Sequence, residues 1–192
     1  MTYADVIRPS TGRYARLYDI ASIFCGSLFV ALAARVAISL PFSPVPVTGQ
    51  TLAVLLIGAL LGSRRGASCV LAYLAEGSLG LPVFAGGAAG LARLFGPTGG
   101  YLLGFVVAAY VTGLLAERGW DRRAGTALLA MLLGNGVIYA FGLPWLAVFV
   151  GMGRALPLGL YPFVAGDLVK LALAALLLPS GWRALGLKEK AE

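Results

Sequence analysis

The chain has 192 residues, of which 59% are hydrophobic and 12% charged, with a net charge of +7 and no histidine. A soluble domain carries about a quarter charged residues, so this composition, with a mean hydropathy of +0.89, places the chain in a membrane. The missing histidine excludes an imidazole metal site, a Ser–His or Cys–His dyad and an imidazole proton relay, and with them most enzyme classes.

A span of the hydrocarbon core needs about 20 apolar residues, fewer where neighbouring helices shield it. On that ruler the polar segment 1–18 is a cytoplasmic N-terminal segment, helices are predicted near 19–40, 47–63, 66–81, 100–117, 124–150 and 161–179, and 180–192 is a cytoplasmic tail. The apolar run after residue 18 is long and lacks a clean small-residue cleavage site, so it reads as a retained span and not as a signal peptide. The expected fold class is an all-α integral membrane protein, a compact bundle of six transmembrane helices forming a single domain over 1–192, with both termini cytoplasmic. Orientation follows from charge. One set of ends and loops holds Arg8, Arg13, Arg16, Arg64, Arg65, Arg118, Arg122, Arg123, Arg183, Lys188 and Lys190, whereas the other holds only Arg93 and Arg154.

In the first predicted helix Gly26, Val30, Ala33 and Ala37 fall on one stripe, widened by Ala31 and Ala34. Small residues at this spacing let another helix approach, within the bundle or in another subunit. Arg35 and Glu76 are charges that the spacing leaves unexplained. Cys25 and Cys69 lie in apolar runs, where a thiol behaves as a small hydrophobe, and imply no disulfide framework.

The segments 41–48, 82–100 and 151–162 are nearly uncharged and rich in proline and glycine. They read as a lid over a cavity that opens outside, and not as solvated connectors. Gly86 and Arg93 belong to the second of them; Arg93 either holds a ligand carboxylate or reaches lipid headgroups. Gly96-Pro-Thr-Gly-Gly-Tyr101 opens the fourth helix, with Thr98, Gly99 and Tyr101 as candidate contacts, but lacks the Lys-Ser/Thr of a nucleotide-binding loop. Gln50, Asn135 and Tyr139 are polar groups at or inside span ends, equally suited to interhelical bonding and to a ligand.

The last helix carries Asp167 and Lys170, which share one face. Charges in lipid pair, line a cavity or meet a polar ligand. A carboxylate accepts from N–H and an ammonium donates to C=O or carboxylate, so the pair suits a ureido or amide group, or else fixes helix packing. The basic residues are not interleaved with aromatics in a polar segment, which excludes nucleic acid as a partner and leaves the lipid bilayer. An intramembrane enzyme using Asp167 or Glu76 lacks a recurring catalytic constellation. A stand-alone proton-coupled carrier of a small acid is a further alternative, but the sequence lacks the internal repeat many such carriers show.

Five segments in order, Val45-Pro-Val-Thr-Gly-Gln50, Gly80-Leu-Pro-Val-Phe-Ala85, Gly96-Pro-Thr-Gly-Gly-Tyr-Leu-Leu-Gly-Phe105, Tyr139-Ala-Phe-Gly-Leu-Pro-Trp-Leu146 and Tyr161-Pro-Phe-Val-Ala-Gly-Asp-Leu-Val-Lys170, resemble the BioY family. These are the biotin-specific substrate-binding (S) components of energy-coupling-factor vitamin transporters, and the resemblance runs from about Tyr18 to Pro179. It implies a six-helix S component in the inner or plasma membrane of a prokaryote, without cofactor, metal or nucleotide. Such a component captures biotin from outside and works with a transmembrane coupling (T) subunit and two ATP-binding-cassette ATPases. The family's aspartate and lysine correspond to Asp167 and Lys170, and its glycine-rich loop to Gly96–Tyr101. Ala33 and Ala37 are the nearest match to its small-residue docking motif, with Arg35 a departure from it. Phe84, Tyr101, Tyr139, Trp145 and Phe163 are candidate walls of the apolar box that biotin's fused rings require. Asp167 is expected to accept from the ureido N–H groups; Lys170 either donates to the ureido oxygen or holds the tail carboxylate, a role for which Arg93 competes.

Overall fold

A computed structural model describes residues 2–184. Lys188, Lys190 and the rest of the predicted tail beyond Ala184 lie outside the described residues. The chain runs α1 (Tyr3–Ile7), α2 (Gly12–Arg35), strands β1 (Ala37–Ile38) and β2 (Val47–Thr48), α3 (Gln50–Leu61), α4 (Ser63–Ser78), a single tight turn at Ala85–Gly87, α5 (Ala92–Phe95), α6 (Gly99–Glu117), α7 (Ala124–Val150), α8 (Met152–Gly159) and α9 (Tyr161–Ala184). A helix occupies each of the six predicted positions. Among the described residues four stretches are long and apolar enough to cross a membrane: Gly12–Arg35, Gly99–Glu117, Ala124–Val150 and Met152–Ala184, the last combining α8 and α9. At 12 and 16 residues, α3 and α4 fall short of that length.

Three boundaries differ from expectation. The first long helix begins at Gly12 and stops at Arg35, so segment 1–18 is largely helical, and residues 36–40 are not. The proline-rich return at 41–46 follows: proline disfavours the helical conformation of the residue before it, and the chain pairs Ala37 with Thr48 and Ile38 with Val47 in place of further helix. Ala37 therefore does not extend the helical stripe. The rest of that stripe packs inside the bundle: a Cβ on Gly26 would lie 2.5 Å from the Cys69 sulfur, and one on Gly49 would lie 3.0 Å from the Ala33 carbonyl. Finally, α9 runs through Pro179 to Ala184, so the tail begins later than predicted.

The central element is α6, which packs against α3, α4 and α7. Its glycines allow backbone contact towards α4 and α7. A Cβ on Gly113 would meet the Ser63 amide at 2.3 Å, one on Gly104 the Ile138 Cα at 3.2 Å, and one on Gly100 the Phe141 carbonyl at 2.6 Å. At its end, the Glu117 carboxylate accepts from the Ser63 amide (2.7 Å) and hydroxyl (2.8 Å), satisfying the N-terminus of α4.

The two unexplained charges are also placed. Glu76 on α4 accepts from the buried Ser27 hydroxyl of α2 at 2.8 Å. Arg35, at the end of α2, donates to the Pro82 carbonyl at 2.7 Å and lies against Gly87, whose φ of 79° and crowding by the guanidinium both favour glycine.

One end of the bundle gathers α1, the α6–α7 loop and the end of α9. The Tyr3 hydroxyl donates to the Leu178 carbonyl, and its ring lies 4.3 Å from that of Trp182. The Trp182 indole N–H donates to Asp121 at 2.6 Å, and the Arg122 guanidinium sits 4.9 Å from the Trp182 ring. Nearby, Arg65 pairs with Asp5 and Asp19, both at 2.9 Å, and Arg8 with Asp19 at 2.7 Å. Arg93, on α5, and Arg154, on α8, take no part in this cluster.

Asp121 is buried and one of its carboxylate oxygens has no hydrogen-bond partner. Burial raises its pKa above the ordinary carboxylate value, outweighing the lowering by the Trp182 N–H. A raised folded-state pKa contributes stability that is present below the unfolded value and lost as pH rises through the folded one. Asp121→Asn keeps an acceptor for Trp182 without the buried charge. Its melting temperature relative to the parent is therefore expected to increase from acidic to neutral pH, measured by thermal unfolding in detergent; a constant difference would contradict the burial account.

Candidate ligand-binding site

The centre of the site is the Asp167 carboxylate, on the inward face of α9 and only 4% exposed. Lys170, one turn on, donates to one oxygen at 3.1 Å. The other oxygen accepts from the Asn135 amide at 3.1 Å and from the Tyr139 hydroxyl, both on α7. A buried carboxylate needs such partners, because desolvation is costly and α9 supplies only one donor. The Lys170 ammonium also donates to Thr51 on α3 at 2.9 Å. An ammonium has three N–H donors, so one remains for a ligand. Together these bonds tie α3, α7 and α9 around one charge pair.

Above this floor opens a cleft with about 750 Å³ of empty space, counting the part continuous with solvent. Its polar lining comes from Asp167, Lys170, Thr48, Thr51, Gln50, Tyr139 and Thr98, with Arg93 at the rim. The apolar walls are Phe84, Tyr101, Leu102, Phe105, Ile138 and Phe163, and Val45, Pro46 and Ala85 close the loop side. Of the segments predicted to form a lid, 41–48 and 82–100 thus contribute lining residues, whereas 151–162 contributes none. They are held down by hydrogen bonds: the Ser43 hydroxyl donates to the Leu158 carbonyl of α8 at 2.7 Å, and the Tyr101 hydroxyl to the Gly159 carbonyl at 2.9 Å.

Of the residues singled out by sequence, Asp167, Lys170, Arg93, Gln50, Thr98, Tyr101 and Tyr139 line this cleft. Tyr101 offers its ring, since its hydroxyl is engaged with Gly159. Gln50 is buried and its amide donates to Tyr73 at 2.6 Å, so part of its capacity is structural. Asn135 is not in the wall but stands behind it, orienting Asp167. Gly99 is not in the wall either. Its N–H closes a turn on the Gly96 carbonyl, and a Cβ there would lie 1.8 Å from the Leu94 carbonyl; its glycine answers to backbone packing. Gly86 lines a second cavity next to the cleft. Among the expected aromatic walls, Trp145 is displaced from the lining: it packs on Gly100, and its indole N–H donates to the Gly96 carbonyl at 2.9 Å. Thr51 was the polar contact not foreseen; a hydroxyl in the first turn of an otherwise apolar helix was its signal.

A model of the BioY family matches residues 8–187. This chain belongs to the BioY family. It is 43% identical over 159 residues, 79% of the chain and 85% of the relative, to a protein of Rhizobium etli named biotin transporter BioY. It is likewise 43% identical to a probable biotin transporter BioY of Pyrococcus horikoshii, covering 79% of the chain and 90% of that protein. The same identity relates it to biotin transporter BioY of Thermotoga maritima, over 73% of the chain and 82% of that protein. In structure it resembles a crystallised S component for biotin from an ECF-type ABC transporter, with a TM-score of 0.79 over 91% of this chain and 95% of that one, at 24% identity. At that identity the likeness shows the fold, which in this BioY-family chain is that of a multi-pass membrane protein.

Breaking a buried ion pair strands a charge, while neutralising both partners does not. Lys170→Met is expected to cost about 3–5 kcal/mol of stability by that account, and adding Asp167→Asn to restore much of it. Thermal unfolding of the single and double variants in one detergent checks this; additive losses would mean the two charges act independently.

Proposed function

We propose that the chain is the S component of an energy-coupling-factor transporter, capturing biotin from outside the cell and delivering it inward in concert with a T component and ATP-binding-cassette ATPases. The observation that carries the reading is the buried Asp167–Lys170 pair at the floor of an apolar cleft, in a chain whose BioY-family relatives are named biotin transporters. The protein is then a solute-binding transport subunit and not an enzyme. It resides in the plasma membrane of a prokaryote as six membrane-crossing helices within one domain, α3 and α4 being shielded short spans, with both termini cytoplasmic.

Biotin joins a ureido head, a fused ring system and a carboxylate tail. The head fits the floor: Asp167 accepts from a ureido N–H and the remaining Lys170 N–H donates to the ureido oxygen. The rings lie among Tyr101, Phe105, Ile138 and Phe163. Of the two cations that competed for the tail, Lys170 is already committed to Asp167 and Thr51, whereas the Arg93 side chain at the rim has no hydrogen-bond or ion-pair partner among the described residues. Arg93 is therefore assigned to the carboxylate.

Titration of biotin into the purified chain, without ATP or other subunits, tests the reading: saturable binding with one site per chain is expected, and a flat trace from folded protein overturns it. Asp167→Asn and Lys170→Ala should each weaken binding by about 2–5 kcal/mol, the cost of stranding one partner of a desolvated charged bond. Arg93→Gln should weaken biotin while leaving biotin methyl ester, which lacks the carboxylate, nearly unchanged. Equal losses for both ligands would move Arg93 off the tail.

A further inference from the structure

A second cavity adjoins the ligand cleft on its outer side, with about 640 Å³ of empty space counting its solvent-open part. It shares Pro46, Ala85 and Arg93 with the cleft, so the two spaces adjoin at these residues. Beyond that rim the character of the wall changes. The cleft is walled by aromatic and aliphatic side chains, whereas the outer cavity is walled by Ser39, Ser43, Pro44 and Gly86 and contains none of the aromatic residues. Asp167 and Lys170 do not reach it.

The shape of this outer space is set by the fold. Ser39 and Ser43 lie on the return between β1 and β2, which the pairing of Ala37 with Thr48 and the Ser43 bond to Leu158 hold in place. On the other side, the turn at Ala85–Gly87 is fixed by the bond of Phe84 N–H to the Ala88 carbonyl and by Arg35 through Pro82. Gly86 has a φ of 69°, a conformation side chains rarely adopt, and the outer cavity is bordered there by bare backbone.

Resting on the biotin reading above, we propose that the outer cavity is a subsite for a substituent attached through the ligand's carboxyl group, so that the chain takes biotin amide-linked to an amino acid or short peptide as well as free biotin. If the ureido head is on Asp167, the carboxyl group ends at Arg93, and anything attached to it continues into the outer cavity. An amide retains the C=O acceptor that a guanidinium N–H requires, losing only the charge assistance. A polar extension with its own amine and carboxylate suits a space lined by hydroxyls and backbone and open to solvent. The ligand class is therefore the biotinyl amides that breakdown of biotin-carrying proteins releases, as distinct from free biotin alone.

The probe is biotinyl-ε-lysine, measured against free biotin by competition on the detergent-purified full chain. Biotinyl-lysine is expected to displace biotin from the same site with a Kd within about a hundredfold of that of biotin, the range set by loss of one charged bond. Ser39→Trp tests the location, because Ser39 borders only the outer cavity and makes no side-chain hydrogen bond among the described residues. This substitution should weaken biotinyl-lysine at least about tenfold and leave biotin within about twofold. If biotin binds and biotinyl-lysine does not compete, or if Ser39→Trp changes both ligands equally or neither, the subsite is refuted while the biotin reading stands. If biotin itself does not bind, both fall.

Discussion

The architecture depends on how closely other elements approach the backbone of α6. In lipid there is no hydrophobic difference between a helix and its surroundings, so helices associate through close van der Waals fit and a few polar bonds. Gly100, Gly104 and Gly113 give α6 that fit towards α7 and α4, and Gly58 of α3 meets the Ala109 carbonyl from the other side, where a Cβ would lie 2.4 Å from it. Short α3 and α4 gain from this arrangement the burial that their own length does not supply. With α6 as the post, α3 and α7 are brought to positions from which Thr51, Asn135 and Tyr139 converge on α9.

What they converge on is a charge pair whose partners are shared among three helices. The Asp167 carboxylate takes donors from α7 and α9, and Lys170 spends two of its N–H groups on Asp167 and Thr51. A site made this way is held by its own polar bonds, so its geometry is fixed before any ligand arrives, and the remaining donor and acceptor capacity faces the cleft. The aromatic residues above contribute ring surface, the Tyr101 hydroxyl being engaged with Gly159.

Much of this was legible in the sequence, for identifiable reasons. Charges within apolar runs are expensive, so Asp167 and Lys170 stood out, and hydropathy located a helix at each of six positions. Periodicity did not reveal that Ala37 leaves the helix, because the proline-rich return acts at a distance through strand pairing with Thr48. Nor did it separate the reasons for glycine: Gly99 and Gly100 belong to a motif that reads as a ligand loop, yet each is small because another group, the Leu94 carbonyl or Trp145, occupies the place of its side chain. Trp145 was misassigned by the same reasoning, since an aromatic residue beside a proline in α7 carries no mark of which helix face it takes. The second-layer role of Asn135 and the contact from Thr51 depend on tertiary placement alone.

The roof of the cleft has a thermodynamic consequence. Pro41, Pro44 and Pro46 restrict their own backbone and that of the residues before them, and Pro82 and Pro97 do the same in the second loop. Ordering a flexible loop around a ligand subtracts conformational entropy from the affinity. Here little of that loss is left for binding, since the prolines restrict these positions already in the unfolded chain, and the strand pair and the Arg35 bond to Pro82 complete the ordering on folding. Ligand association then draws its entropy cost mainly from the few side chains left unpinned at the rim, Arg93 foremost among them.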